Sequence, residues 1–256
     1  VELTAKDTVV ITMTDKLTTF KATDFFKRTE GTSFASALLK GDDEDPVEIT
    51  RIRHTINDDG QSVITLTLAE SEKTTYLYND KDNDGNVENS SMVFVPLNKD
   101  DKTDSANAYG ETINTTPVYV ADKAAPVVEE VYFVELDDEY DGKEILVVFS
   151  EAIDTSTVRS NNKVSGFSVS GNKAELSEAY LLEEEITVTV GTEEEEKTIA
   201  PYTAVVLTGK NFNKYTDVSY NDAFGMDDLN GNKVKSFSRK DTLKVADTDY
   251  TPNPGN

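Results

Sequence analysis

Two long segments of this 256-residue chain end alike, and this repetition constrains its folding more than any other feature. Val120-Ala121-Asp122 and Val245-Ala246-Asp247 each stand a few residues before a proline, and a polar turn with glycine precedes each. Self-similarity of this kind indicates repeated structural units. The sequence therefore predicts two copies of one domain, residues 1–122 and 126–247, with residues 248–256 as the start of a further linker.

The starts of the two copies match as well. Apolar residues recur there at equal spacing: Val9, Ile11, Met13 and Leu17 in the first copy, and Ile145, Val147, Phe149 and Ile153 in the second. Alternation of apolar and polar residues is typical of a strand with one buried face. We therefore expect each copy to begin with strands that contribute to its core.

Both copies have the pattern of all-β domains. Residues 49–56 and 62–68 are strand-like runs around a turn that contains Asp59-Gly60, a strong hairpin signal because glycine accepts positive φ. In the second copy, residues 186–190 and 203–207 are strand-like. Helical spacing is found mainly at 32–39 and 173–182, which we expect to be short helices. Many short strands in units of about 120 residues favour β-sandwiches.

Several motifs of the second copy occur together in a known family. A strand ending in Phe149-Ser150-Glu151 leads into the turn 154–157, and the last hairpin contains Asp228-Leu-Asn-Gly-Asn232. This combination resembles the bacterial immunoglobulin-like domains of surface-layer (S-layer) proteins. The resemblance implies two tandem immunoglobulin-like β-sandwich domains in a secreted protein of the bacterial cell surface. At the corresponding places the first copy has Thr14-Asp15 and Tyr109-Gly110-Glu111.

Composition excludes several classes of function. Lys and Arg total 25 and Asp and Glu total 49, which gives a net charge of −24. Such a surface repels phosphate backbones and anionic lipids, so we expect neither nucleic-acid nor membrane-surface binding. No apolar run approaches the roughly 18 residues that span a bilayer, so we expect no membrane insertion. The chain has no Cys and one His, which excludes thiolate sites and multi-histidine metal sites. We therefore do not expect an enzyme.

The sharpest local motif is an acidic loop whose spacing matches the first half of a calcium-binding loop. Carboxylates at alternate positions converge on a hard cation, and a glycine permits the sharp turn. A bidentate Glu is absent from the twelfth position, where Ser91 stands. A solvated acidic hairpin loop is the alternative interpretation. The candidate calcium ligands are Asp80, Asp82, Asp84, Asn86 and Glu88.

A second set of candidate ligands lies at the domain ends. A cation there would stiffen the joint between tandem domains and reduce the acidic self-repulsion. The alternative is that Asp and Asn stand in these turns because their side chains hydrogen-bond to the backbone. The set comprises Asp122 and Asp247, each before a linker proline, and the turn residues Asp154, Asp228 and Asn230.

The only histidine, His54, falls on the same face of its strand as Ile52 and Ile56. A hydrogen-bonded core or edge histidine is the favoured interpretation. The alternative is a hydrolase, in which His54 as catalytic base, or a pair of carboxylates, would lie at the base of a pocket. Gly-x-Ser-x-Gly, the usual nucleophile motif, is absent from the sequence.

Together these features predict a structural module of a secreted S-layer-type protein with calcium-stabilised domains. Its expected partners are neighbouring copies in a lattice and adjacent domains of a longer parent chain, since the sequence begins at Val1 without Met. The alternative is an adhesin, or an accessory binding module of an extracellular polysaccharide-degrading enzyme. A lattice protein should self-associate when calcium is added, whereas an adhesin should retain a glycan or a host protein.

Overall fold

The computed structural model of the chain describes residues 1–25, 27–28, 34–40, 46–79, 89–90, 92–94, 105–113, 116–135, 143–171, 173–190, 195–240 and 243–248. The chain divides into two compact units, Val1–Ala124 and Ala125–Asn256. Strands and short 3₁₀ turns make up the regular structure of the described residues, so the protein is all-β. No helix in this part of the chain is long and apolar enough to cross a bilayer.

The first unit is built around one large sheet. Its strands are β1 (Glu2–Ala5), β2 (Thr8–Thr12), β3 (Leu17–Thr19), β4 (Lys27–Arg28), β5 (Phe34–Lys40), β6 (Pro46–Ile56), β7 (Ser62–Leu68), β8 (Tyr78–Asn79), β9 (Asn89–Ser90), β10 (Val93–Phe94), β11 (Ala106–Asn107), β12 (Val118–Tyr119) and β13 (Ala121–Asp122). The sheet order is β12-β10-β5-β6-β7-β2-β1-β13, with β4 beside β5; β3 pairs with β11, and β8 pairs with β9. Ala22–Asp24 and Glu70–Glu72 are 3₁₀ turns.

Alternation places the core of the first unit on one face of this sheet. Along β7, Ile64, Leu66 and Leu68 are buried and the residues between them are half-buried, as the sequence predicts. They pack with Val9 and Ile11 of β2 in one cluster. Burial of such side chains contributes about 1.5–3 kcal/mol each.

The second unit has a seven-stranded sheet and a three-stranded sheet. Its strands are β14 (Val128–Glu135), β15 (Lys143–Phe149), β16 (Phe167–Ser170), β17 (Glu175–Leu181), β18 (Ile186–Val190), β19 (Glu195–Ile199), β20 (Ala204–Lys210), β21 (Asp217–Tyr220), β22 (Phe237–Arg239) and β23 (Lys244–Thr248). The orders are β17-β20-β15-β14-β23-β18-β19 and β16-β21-β22. Thr155–Thr157, Ser160–Asn162 and Asp222–Phe224 are 3₁₀ turns.

The seven-stranded sheet of the second unit is apolar on both faces. Ile145 and Val147 of β15 point to a cluster that also contains Phe167 and Val218 of the three-stranded sheet. Leu146 of β15, on the opposite face, belongs to a cluster with Ile199 and other residues of the β18–β19 hairpin. This double burial explains why β15 is a continuous apolar run, Ile145 to Phe149, rather than an alternating one.

Five strands have the same order in both units. They are β6-β7-β2-β1-β13 in the first sheet and β17-β20-β15-β14-β23 in the second. In each unit the first strand pairs in parallel with the strand that carries Val-Ala-Asp, through Leu3 and Asp122 in one and Phe133 and Val245 in the other. The second unit differs because the β18–β19 hairpin extends its sheet beyond β23.

The prediction of two short helices from helical spacing was wrong. Residues 34–40 and 175–181 are strands β5 and β17. In β17, Ala179 and Leu181 are buried while Tyr180 between them is half-buried, and the whole strand pairs with β20. Strand pairing with a distant segment outweighs local helix propensity here, because that propensity is worth less than 1 kcal/mol per residue.

Candidate metal centre in the second unit

The turn 228–232 holds the best-placed predicted ligand, Asp228. Its Oδ1 accepts the backbone N–H groups of Asn230 and Asn232, both at 2.8 Å, and its Oδ2 accepts the Nδ2 of Asn232 at 2.9 Å. Gly231 closes the turn with φ +78°, which favours glycine. Asp228 is buried, with 1 % exposure, so the sequence locally forms a rigid loop around a buried carboxylate.

A second buried carboxylate lies beside Asp228. Glu151 is 3 % exposed, and carboxylate oxygens of the two residues lie within 4.8 Å of each other. Glu151 follows β15, and Ile153, two residues later, forms a β-bridge with Asp228. The bridge therefore fixes the distance between the two backbones that carry this acidic pair.

The first unit has a counterpart in which an amide replaces the carboxylate of Asp228. Asn107 forms the same turn: its Oδ1 accepts the N–H groups of Tyr109 and Glu111 at 3.0 Å, and Gly110 has φ +81°. It pairs with Leu17 as Asp228 pairs with Ile153. Its Nδ2 donates to Asp15, at 3.3 Å, and to Glu111, at 2.7 Å. In the first unit an amide therefore donates to a carboxylate, whereas in the second unit two carboxylates lie close together.

The chemistry of the pair suits a hard cation. Two carboxylates near each other in a buried place repel, and a divalent cation between them replaces this repulsion by two attractions. Two carboxylates supply at most about four of the six to eight oxygens that calcium takes, so water or backbone oxygens would complete the set. Asp228 and Glu151 can therefore hold calcium. Asn107 and Asp15 are already joined by a hydrogen bond, so no repulsion between carboxylates has to be offset there.

The other predicted ligands have different positions. Residues 80–88, with Asp80, Asp82, Asp84, Asn86 and Glu88, lie outside the described residues; the strands that they join, β8 and β9, are antiparallel. Asp247 lies in β23, paired with Glu135, and its side chain is outside the described part.

Three predicted ligands take part in hydrogen bonds with backbone N–H groups or a neighbouring side chain. Asp122, in the first unit, is buried and accepts the N–H of Leu77 at 3.1 Å and of Ala124 at 3.0 Å. Asp154 accepts the N–H and the hydroxyl of Ser156, both at 2.8 Å. Asn230 donates its backbone N–H to Asp228. The bonds of Asp154 and Asn230 agree with the alternative interpretation that these side chains stabilise turns.

Sequence reasoning did not select Glu151 as a ligand. The available signal was its place in the Phe149-Ser150-Glu151 motif, two residues before the strand position that Ile153 shares with Leu17. The bridge between Ile153 and Asp228 depends on long-range pairing, which no local pattern reports.

His54 is a hydrogen-bonded, half-buried side chain, as predicted. Its Nε2 lies 2.7 Å from Ser62 Oγ, and its ring stacks on Phe20 at 4.5 Å. Ser62 is fully buried and also accepts the backbone N–H of Leu17 at 2.9 Å. Burial lowers the pKa of His54. Because Ser62 is buried, its hydroxyl is out of reach of a substrate. The hydrogen bond between Ser62 and His54 contributes to the packing of β6 and β7.

Two glutamates of the second unit have strongly shifted pKa values. Burial alone would raise the pKa of Glu130, but hydrogen bonds from Lys197, Lys244 and Tyr132 outweigh it and lower the pKa to about 2. The two ammonium groups lie 2.7 and 2.5 Å from its oxygens. Burial raises the pKa of Glu144 in β15 to about 7. The ion pairs of Glu130 therefore link β19 and β23 to β14. Ionisation of the buried Glu144 costs free energy.

A scan against protein-family models finds no match, and a search of curated proteins finds none either. The functional conclusion therefore depends on the molecule's own geometry and on the motif resemblance.

Proposed function

We propose that this chain is a structural module of a secreted, S-layer-type protein of the bacterial cell surface, made of two immunoglobulin-like domains that calcium stabilises. The observation that carries the proposal is the shared strand order of the two units, with the first strand parallel to the strand that ends in Val-Ala-Asp. Tandem repetition of one rigid β module is better suited to a mechanical role than to the formation of a single catalytic cleft.

Charge supports the calcium part of the proposal. A net charge of −24 opposes the approach of like copies, and a divalent cation lowers this repulsion. In the second unit, Glu151 and Asp228 form a buried acidic pair where the first unit has the hydrogen-bonded pair of Asp15 and Asn107. We place one calcium ion at Glu151 and Asp228.

A binding module, such as an adhesin, is the second candidate. The observation that favours it is a set of tyrosines exposed to solvent, with Tyr109 at 89 %, Tyr119 at 55 % and Tyr215 at 58 %. Exposed aromatic faces are common in sugar and protein recognition. This candidate predicts a monomer that retains a ligand.

Electron microscopy after the addition of calcium distinguishes the two candidates. The structural proposal predicts ordered sheets or rows of the chain, which disappear when a chelator is added. A chain that stays monomeric with calcium and is retained on a column of bacterial or plant glycans would contradict it and support the binding module.

A further inference from the structure

A short basic segment stands out in the second unit of this acidic chain. Lys233, Lys235, Arg239 and Lys240 lie within eight residues that contain no acid. The three lysines are exposed and the arginine is half-buried. Within the part of the chain that the structure describes, none of the four forms an ion pair. Their charges are available to a partner.

These cations border strand β22, at the edge of the three-stranded sheet. Among the described residues β22 pairs with β21 alone, through Phe237, Ser238 and Arg239. An edge strand presents backbone N–H and C=O groups to a further strand, and like charges on the edge discourage pairing with an identical edge. We name β22 with its four cations the basic edge.

The seven-stranded sheet ends in an edge of opposite charge. In the described part of the chain β19 pairs with β18 alone, and it carries the exposed Glu196. The exposed residues Glu184 and Glu185 precede β18, beside the end of β19, because Ile186 pairs with Ile199. The Lys197 ammonium of β19 already binds Glu130, at 2.7 Å. We name β19 with these three glutamates the acidic edge.

We propose that copies of this chain associate by placing the basic edge of one copy alongside the acidic edge of the next. Equal edges repel each other and unlike edges attract, so charge selects one pairing among the possible ones. The two edges belong to different sheets of the second unit, and when each copy uses them with two different neighbours the contact is heterologous and extends into rows.

A second copy fits the basic edge better than an anionic polymer does. The cations on and beside β22 match the acids on and beside β19, and strand pairing satisfies both backbones. A polymer would leave the acidic edge without a partner. The inference deepens the proposed function, on which it rests, because it names the interface through which neighbouring copies meet.

Charge reversal tests the interface in the full chain, at a fixed calcium concentration, by sedimentation velocity. The first variant is Lys235→Glu with Arg239→Glu, and the second is Glu185→Lys with Glu196→Lys. Each variant alone should self-associate about tenfold more weakly than the unaltered chain, since two attractions become repulsions. An equimolar mixture of the two should associate again, because each reversed edge then meets an edge of opposite charge.

A matched control separates the edge from overall charge. Arg159→Glu with Lys210→Glu changes the net charge as the first variant does, at exposed cations outside both edges. We expect it to associate like the unaltered chain. An equal loss in this control, or a mixture that stays dissociated, contradicts the inference; the second result is also the one expected if the basic edge binds an anionic polymer.

The unaltered chain provides a test that needs no variant. Raising sodium chloride from about 0.05 M to about 0.5 M should weaken self-association, because salt screens exposed charges. Association that salt and both edge variants leave unchanged contradicts this interface while the proposed function stands. A chain that fails to associate under all these conditions contradicts both.

Discussion

Asn107 and Asp228 occupy the same position in two equivalent turns. Each side-chain Oδ1 accepts the N–H groups two and four residues later, and each residue pairs with an apolar residue at a matching position, Leu17 or Ile153. The difference is one of charge, since Asn107 donates to Asp15 whereas Asp228 lies beside Glu151. An amide at this position gives a hydrogen-bonded pair in the first unit, and a carboxylate at the same position gives a candidate cation site in the second.

Asp228→Asn should make the second unit independent of calcium. The asparagine keeps the Oδ1 that accepts two backbone N–H groups, and its Nδ2 can donate to Glu151 as Asn107 donates to Asp15. In the unaltered chain, calcium at about 100 times its dissociation constant should add about 2.7 kcal/mol to the free energy of unfolding. Calorimetry with calcium and then with chelator measures this gain, which the variant should lose.

Asp15→Asn is the matched control for this experiment. It removes a carboxylate from the first unit at the position that corresponds to Glu151, and leaves Glu151 and Asp228 in place. The calcium shift should therefore persist in the control. A shift of equal size in the Asp228 variant would place calcium elsewhere in the chain.

Glu144→Gln should stabilise the second unit at neutral and alkaline pH. The pKa of Glu144 is about 7 in the folded chain and near 4.5 in an unfolded one, because burial disfavours the charged form. The folded state thus binds the proton more tightly, and stability falls as pH rises from about 4.5 to about 7. The variant should gain up to about 3 kcal/mol above pH 7 and nothing at pH 4. Urea unfolding at several pH values measures the difference, and a gain that is equal at all pH values would contradict the assignment.

Glu130→Gln should act in the opposite direction. The pKa of Glu130 is lowered to about 2, so its contribution is present above about pH 4.5 and disappears as pH falls through 2. Because Lys197 and Lys244 are partly exposed, we expect a loss of only about 1 kcal/mol at pH 7. Urea unfolding at pH 7 and near pH 2 measures the change. Glu196→Gln, at an exposed position of β19, is the control and should have little effect at either pH.

Local patterns predicted much of the fold. Alternation identified β7, where Ile64 and Leu66 are buried, and the Asp59-Gly60 turn identified the hairpin with β6. Residues 186–190 are β18, as predicted. Patterns failed for β17, because an edge strand with mixed burial resembles a helix when only one window of sequence is considered.

Gly209→Ala tests the pairing of β17 with β20, which the sequence did not predict. A Cβ at Gly209 would lie 2.1 Å from the backbone oxygen of Glu175 and 2.5 Å from the ring of Phe212. Neither neighbour can move without disturbing the sheet, so we expect a loss of about 2–3 kcal/mol. Gly231→Ala, where the φ of +78° is unfavourable but space is open, should cost only about 1 kcal/mol. Denaturant unfolding that ranks the two variants in the reverse order would contradict the pairing.

The candidate site was only half predictable. Asp228 stands in a recognisable turn motif, so its selection followed from sequence. Glu151 acquires its role through the bridge between Ile153 and Asp228, which brings together residues distant in the chain. The acidic loop at 80–88 lies outside the described residues, and its calcium ligands stay a prediction.

We propose that this acidic tandem module assembles with its own copies when calcium is present. Sedimentation velocity of the full chain, titrated with calcium chloride and then with a chelator, tests this assembly. We predict a reversible rise in sedimentation coefficient from a monomer of 28.2 kDa to large assemblies. A chain that sediments as a monomer throughout the titration would contradict the claim.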